Sequence, residues 1–266
     1  VEESQEAIAH CRRQYKALVS MCDHNLGRVL DLMDRYDMWK DTMLIVGTDH
    51  GFLLAEHGHW GKNQMPYYNE VANNPLFIWD PRSQVRGEKR QALVQMIDWA
   101  PTLLNYFGQE VPADMQGHDL EETIRSDKKV RDYALFGVFS GHVNITDGNY
   151  VYMRAPLPEK VNEIYNYTLM PLHMNKRFTV DEMRTATLEE PFSFTKGCPL
   201  LKIKGKDKYK VGRFGTLLYN VAKDPGELHP LEDEEQEARM IRALKAEMKK
   251  ADSPWEQYER LGLDPE

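Results

Sequence analysis

A chain of 266 residues with 41% apolar and 29% charged side chains can bury a sizeable core, which excludes a disordered or fibrous protein. Its formal net charge of -8 comes from both signs spread along the sequence, and no basic stripe is present to meet a phosphate backbone, so nucleic acid is excluded as a partner. No stretch approaches the run of about 18 apolar residues that a membrane helix needs, and Cys11, Cys22 and Cys198 are too few for a disulfide framework or a paired zinc site.

The sequence begins at Val1 with no charged-then-apolar leader, so its true start is expected upstream and compartment cannot be read from it. From Ile8, the apolar residues Cys11, Tyr15, Leu18, Cys22, Leu26, Val29 and Met33 recur every three or four positions, which predicts an amphipathic helix with a break near Gly27. Both cysteines lie on its apolar stripe and are expected in the core. Residues 42–48 form a continuous apolar run without alternation, which predicts a strand covered on both faces, as in a parallel sheet. A second strand is expected over 75–79. A helix follows over 93–107, with its regular part beginning at Pro101. Alternating helix and strand over 1–125 predicts an α/β layered domain.

Beyond about residue 125 the texture changes. Strands are predicted over 133–139 and 150–154, separated by the turn Asp147-Gly148-Asn149, the strongest hairpin signal in the chain. Another is expected over 216–219. A closing helix over 232–250 is acidic at its start and lysine-rich at its end, with Ile241, Leu244 and Met248 as its packing face. Residues 126–266 are thus expected to form a smaller subdomain of antiparallel sheet plus helix, in which residues 155–210 have weak periodicity and no assigned element. Two Asn-x-Thr sequons, at Asn144 and Asn166, are most simply chance matches in a chain of this length.

Chemistry concentrates in Thr48-Asp49-His50-Gly51 and the following Glu56-His57-Gly58-His59-Trp60-Gly61-Lys62. Asp49 and His50 stand just beyond the carboxyl end of the predicted strand, where ligands gather in open α/β sheets. A carboxylate and an imidazole side by side can ligate a divalent cation when other ligands converge from elsewhere, and Gly51 would let the backbone turn away sharply after them. Taken alone, the same residues also read as a turn with a helix cap. Likewise His57 reads as structural, His59 as a substrate contact or a surface residue, and Lys62 as a solvated lysine.

The order Thr-Asp-His-Gly, Glu-His-Gly, Trp-Gly-Lys resembles the C-terminal metal and sulfate motif of sulfatases and of the similar phosphonate monoester hydrolases. Asp98-Trp99-Ala100-Pro101-Thr102-Leu103-Leu104 resembles that family's Asp-x-x-Pro-Thr-Leu-Leu helix, and Gly117 to Leu120 its Gly-x-x-Leu. Leu218-Tyr219-Asn220 with Asp224-Pro225-Gly226-Glu227 resembles its Leu-Tyr-Asp to Asp-Pro-x-Glu signature, and the helix with Asp23, Gly27 and Leu30 is similar to the one before the metal strand. The resemblance implies that residues 1–125 are the C-terminal half of an alkaline-phosphatase-like α/β/α sandwich. It implies that Asp49 and His50 ligate a divalent cation, calcium in most sulfatases, with manganese or magnesium as alternatives. Lys62 falls where the family's lysine contacts the sulfate oxygens, and His59 is a further candidate for substrate contact. Many sulfatases have asparagine where His50 stands. Histidine occurs in phosphonate monoester hydrolases and in iduronate and choline sulfatases.

One departure is as informative as the matches. Sulfatases attack sulfur with the hydrate of a formylglycine made from a Cys/Ser-x-Pro/Ala-x-Arg motif, and none of the three cysteines opens one. The family's two early metal aspartates also have no counterpart. The chain is therefore expected to be a C-terminal fragment, inactive alone, of an enzyme that cleaves a sulfated small molecule or carbohydrate. Its alternatives are a phosphonate or phosphate monoester hydrolase and a non-catalytic binding or assembly module. A missing N-terminal half would bare an apolar sheet edge, so that half, or a second copy in a homo-oligomer, is an expected partner. Tyr165, Tyr167, His173, Phe192 and Phe194 are candidates either for substrate specificity or for packing against a second sheet or a partner, and His142 is equally two-sided.

Overall fold

The computed structural model describes residues 3–173 and 176–264. The first part of the chain carries α1 (Gln5–Arg35), β1 (Leu44–Gly47), β2 (Leu53–Leu54), β3 (Trp60–Gly61), α2 (Asn69–Ala72), β4 (Leu76–Trp79), α3 (Trp99–Tyr106) and α4 (Glu121–Ser126). The rest carries β5 (Ala134–Gly137), β6 (Val143–Thr146), β7 (Tyr150–Arg154), β8 (Tyr165–Thr168), α5 (Val180–Met183), β9 (Thr187–Glu189), β10 (Leu200–Lys204), β11 (Leu217–Asn220), α6 (Glu234–Lys250) and α7 (Trp255–Arg260). Two compact units emerge: the described residues up to 62 with 70–91 and 121–128, and residues 63–69 and 92–120 with the described residues from 129 onward.

In the first unit, Ser4 starts α1 by accepting the Ala7 N–H at 3.1 Å, and the helix runs through Gly27 without a break. One glycine costs a helix only about 1 kcal/mol, too little to end one of this length. The expected burial of its cysteines is not found: Cys11 and Cys22 are exposed, and Met33 is the buried residue of the helix. Apolar spacing defines a stripe but not a neighbour to cover it, and Tyr15, Leu18, Val19, Met21, Val29 and Leu32 are also exposed. The strand read over 42–48 is β1, but it pairs antiparallel with β4, Leu44 opposite Trp79, and this sheet has two strands among the described residues. An apolar run says that a strand is flanked by apolar groups; it is silent on the direction of its neighbour. Trp79 ties the pair to the short turn at 38–40 that follows α1 by donating its ring N–H to the Trp39 carbonyl at 3.0 Å.

The second unit is built on an antiparallel sheet in the order β11-β7-β6-β5. The strong hairpin is β6–β7, with Gly148 at φ 89, and β6 is a strand that the sequence reading passed over. Helices α6 and α7 close its face: Ile145, Tyr152 and Leu218 meet Met240, Leu244, Met248, Tyr258 and Leu261 in one core. Of the expected packing face of α6, Leu244 and Met248 are buried and Ile241 packs partly buried beside them. Tyr152, fully buried, donates its hydroxyl to Glu237 at 2.9 Å. Asn144, on the central strand β6, is 1% exposed. Residues 155–210, unassigned from sequence, supply a second antiparallel sheet in the order β8-β10-β9, in which Asn166 faces Ile203 across the ladder. Among the described residues no helix is long and apolar enough to cross a membrane.

Candidate metal and sulfate site

The second unit gives the matched motifs beyond residue 92 a structural account. Asp98, fully buried before α3, accepts the Gln95 N–H at 2.7 Å, the His118 N–H at 2.8 Å and the Arg131 guanidinium at 2.5 and 2.6 Å. Thr102 donates its hydroxyl to the Asp98 carbonyl at 2.6 Å and accepts the Leu120 N–H at 3.0 Å. A Cβ on Gly117 would meet the Ile97 carbonyl oxygen at 2.0 Å, so glycine is required there. In the Asp-Pro-Gly-Glu turn, buried Glu227 accepts the Asn69 N–H at 2.6 Å. These residues anchor loops by satisfying buried backbone groups.

The stretch singled out as the candidate site lies in the first unit. Asp49 and His50 follow β1, and the β2–β3 hairpin, with Leu53 opposite Gly61, brings the chain back so that Lys62 lies beside them. Gly51 is needed here for a reason other than a sharp turn. Its N–H donates to the Val71 carbonyl at 2.9 Å, and a Cβ would lie 1.7 Å from the Glu70 carbonyl oxygen. A side chain at 51 would thus push β1's end away from that backbone.

The geometry around His50 fixes its tautomer. Its Nδ1 lies 2.8 Å from the Gly51 carbonyl, which can only accept, so Nδ1 carries the proton and Nε2 the lone pair. Lys62 Nζ donates into that lone pair. Asp49 Oδ2 lies 3.2 Å from the same Nε2. Two acceptors this close need a cation beside them, and here the Lys62 ammonium fills that role. Asp49 is exposed, whereas His50 and Lys62 are half-buried. The backbone is held by Asn74, which donates to the Asp49 carbonyl at 3.4 Å, and by Thr48, which donates to the His50 carbonyl at 3.2 Å.

His57 is nearly buried, at φ 52, with its ring 3.5 Å from Glu70, in keeping with a structural role. His59 stands at the foot of β3, where its carbonyl accepts the Ala55 N–H at 2.9 Å and closes the hairpin turn. Two supports were not anticipated. Glu56 accepts the Leu54 N–H and pairs with Arg12 at 2.9 Å, while Arg12 also donates to the Leu54 carbonyl at 2.8 Å, so α1 braces the hairpin that carries Lys62. Glu56 belongs to the matched Glu-His-Gly, but nothing in the sequence ties it to a residue 44 positions upstream.

One oxygen and one nitrogen donor, oriented together, fit half of a divalent-cation site. Among the described residues no group of three or more His, Cys, Asp and Glu is arranged to hold a metal ion. Further ligands would have to come from outside this group.

Most of the known proteins that the chain resembles are sulfatases, and a phosphonate monoester hydrolase is among the solved structures. The Sulfatase family model matches residues 2–109. An N-acetylglucosamine-6-O-sulfatase from Bacteroides thetaiotaomicron is 35% identical over 117 residues, which cover 44% of this chain and 21% of that protein. An arylsulfatase from Clostridium perfringens is 27% identical over 54% of this chain and 31% of its own length. Among solved structures, one determined in complex with its substrate D-glucosamine-2-N,6-O-disulfate superposes with a TM-score of 0.59 at 19% identity, over 90% of this chain and 40% of that one. The chain spans about a fifth to two fifths of these proteins.

Proposed function

Because this chain belongs to the sulfatase family of the alkaline phosphatase superfamily, we propose that it is the C-terminal part of an enzyme that hydrolyses a sulfate ester of a carbohydrate. The observation that carries this reading is the convergence of Asp49 Oδ2 and His50 Nε2 to 3.2 Å with the Lys62 ammonium on the same ring nitrogen. The carbohydrate follows from the N-acetylglucosamine-6-O-sulfatase relative and from the disulfated glucosamine bound in the structural neighbour.

Asp49 and His50 would hold a divalent cation, calcium in the first instance, with manganese or magnesium as alternatives that a mixed oxygen and nitrogen donor set admits. When bound, the cation withdraws charge from the sulfate oxygens. Lys62 supplies a second positive charge beside the pair, where it orients the sulfate and stabilises charge that collects on its oxygens and on the leaving oxygen. The carbonyl of Gly51 keeps the His50 lone pair on Nε2, and Arg12 and Glu56 hold the hairpin that delivers Lys62. His59 is a further candidate for substrate contact. The nucleophile, a formylglycine, and the remaining metal ligands are supplied by sequence outside these residues, so this chain alone is inactive. The apolar residues that α1 exposes support a covering partner of that kind.

One rival is a phosphonate or phosphate monoester hydrolase, since a phosphonate monoester hydrolase is among the solved structures that the chain resembles; histidine at position 50 is compatible with both readings. Peptide mapping of the natural protein, followed by parallel turnover of an aryl sulfate and an aryl phosphonate, separates the readings. A Cys/Ser-x-Pro/Ala-x-Arg peptide with faster sulfate turnover is expected. Preferred phosphonate turnover would favour the rival, and a protein lacking the nucleophile peptide altogether would be a non-catalytic module.

A further inference from the structure

The acidic balance of the whole chain conceals a local exception, which the sequence reading passed over where it assigned no element. Lys202, Lys204, Lys206, Lys208 and Lys210 occupy every second position, and Arg213 follows. In the second unit this alternation has a physical meaning. Lys204, Lys206, Lys208 and Lys210 are exposed, whereas Gly205, Asp207 and Tyr209 between them are half-buried. Lys202, inside β10, is a different case, since it is half-buried and held by Glu256. A backbone rises at most about 3.3–3.6 Å per residue, so neighbouring lysines of the row are carried no more than about 7 Å apart.

Exposed lysines are ordinary on a protein surface, but two observations set this row apart. First, its charge is left over. Among the described residues, none of Lys204, Lys206, Lys208, Lys210 and Arg213 forms an ion pair, whereas Lys160 is paired with Glu163 and Lys202 with Glu256 and Glu189. Asp207 is the one carboxylate within the row, and it accepts the Lys210 N–H at 2.9 Å. Second, the row is pinned. The Gly205 N–H donates to the Ile164 carbonyl at 2.7 Å, the Lys208 N–H to the Ser140 hydroxyl at 3.3 Å and the Arg213 guanidinium to the Gln64 carbonyl at 3.3 Å. A pinned backbone loses less freedom on binding than a free loop.

The chemistry of the row narrows the partner. A lysine ammonium is a point charge without the planar fork of arginine, so it reads charge rather than the shape of one group. A single exposed lysine gains little from a single anion, whereas a polymer charged along its length engages the whole row at once. Single-stranded nucleic acid would also want open ring faces on which to stack its bases. The two rings beside the row each hold a cation already: Lys208 lies 5.1 Å from the Tyr209 centroid and Arg213 4.8 Å from that of Phe214.

We propose that residues 204–213 form a docking strip for a sulfated polysaccharide, a surface that holds the polymer by charge and is separate from Asp49, His50 and Lys62. The choice of a sugar polymer rests on the carbohydrate sulfate reading above; the positive row itself does not. Calorimetry with heparin as the sulfated probe, on the 266-residue chain, is expected to show binding that weakens as salt rises from about 50 to about 300 mM. Lys204→Gln, Lys206→Gln and Lys208→Gln combined should weaken it about tenfold. Lys89→Gln, Lys128→Gln and Lys129→Gln combined, which remove the same charge at other exposed positions, should change it by less than about twofold. Circular dichroism checks that both variants fold. Lys62→Ala should leave heparin binding unchanged. Aryl sulfate turnover by the whole enzyme tests the hydrolase reading by itself and should not respond to the substitutions at 204, 206 and 208, so either idea can fail alone. Absence of heparin binding at the lower salt, equal losses in the two triple variants, loss of binding in Lys62→Ala, or tighter binding of poly(U) than of heparin would each overturn the proposal.

Discussion

The two units differ in how far their own residues complete them. In the second, the four-stranded sheet finds a full partner in α6 and α7, and its core is closed by side chains from within the same unit. In the first, Met33, Leu53 and Val71 are the buried apolar residues among those described, β1 has one neighbour, and α1 presents a row of exposed apolar side chains. The residues proposed for chemistry sit on the less complete unit. This is a sensible division: a site assembled from several chain segments must sit where segments meet, whereas a unit closed by its own residues can be stable by itself.

The largest effect should come from breaking the closed unit. Arg131→Met would strip the fully buried Asp98 of its guanidinium and is expected to cost about 3–5 kcal/mol in urea unfolding. A loss below about 1 kcal/mol would mean that the unit is not closed in the sense described. Next comes Lys62→Ala, which in the whole enzyme should lower sulfate turnover about 10²–10³-fold with little change in the unfolding midpoint. In the isolated chain the same substitution should raise the affinity of Asp49 and His50 for manganese or calcium, since it frees the lone pair that Lys62 occupies. Calorimetry that finds weaker metal binding would show that the lysine supports the pair instead of competing with a cation.

How much of this contrast was legible follows from what periodicity can encode. α1 and α6 were readable from apolar spacing, β1 from its unbroken apolar run and β7 from the turn that precedes it, because each carries its signal within its own residues. The exposure of Cys11 and Cys22 was not, because a stripe on α1 promises a partner without saying which chain segment provides it. β8 and β10 escaped notice because Tyr165-Asn166-Tyr167-Thr168 pairs with residues more than 30 positions away, with no tight turn to announce the pairing. β6 was hidden in four residues between a glycine turn and the Asp-Gly hairpin, and α7 in six. At the site, Asp49, His50 and Lys62 were named by resemblance, and the hairpin explains how positions 50 and 62 meet. Arg12 could not have been named, since its partnership with Glu56 exists only once α1 has folded alongside β2.

A smaller, pH-dependent effect sharpens the comparison from the side of the closed unit. Burial pushes the His142 imidazole below its usual value; the Gly215 carbonyl opposes this and the Arg260 charge adds to it. A histidine with a depressed folded value is neutral when folded and takes up its proton on unfolding. Its contribution is therefore complete above the unfolded value of about 6.5 and is lost as pH falls from there through the folded value, with a slope of at most about 1.4 kcal/mol per pH unit. Urea titrations at descending pH should show this loss, and His142→Phe should flatten it. The smallest effect is expected at Leu18, 56% exposed on α1: Leu18→Ser should change the stability of the isolated chain by no more than about 0.5 kcal/mol. In the whole protein, where a partner would cover that face, the same change should cost about 1.5–3 kcal/mol. Equal values in the two settings would break the idea that α1 is completed from outside.

The position of Asn144 bears on how the protein can be made. Its side chain lies inside the central strand of the closed sheet, yet Asn144-Ile145-Thr146 is an acceptor sequence for oligosaccharide transfer. Once β6 has paired with β5 and β7 the transferase cannot reach it; before that, a glycan attached there would bar the strand from its place. In a secreting eukaryotic host, modification and sheet formation would compete for the same nascent segment, and every molecule glycosylated first would be lost to folding. Yield from such a host would report the speed of β-sheet assembly, whereas a bacterial cytoplasm would leave that race unrun.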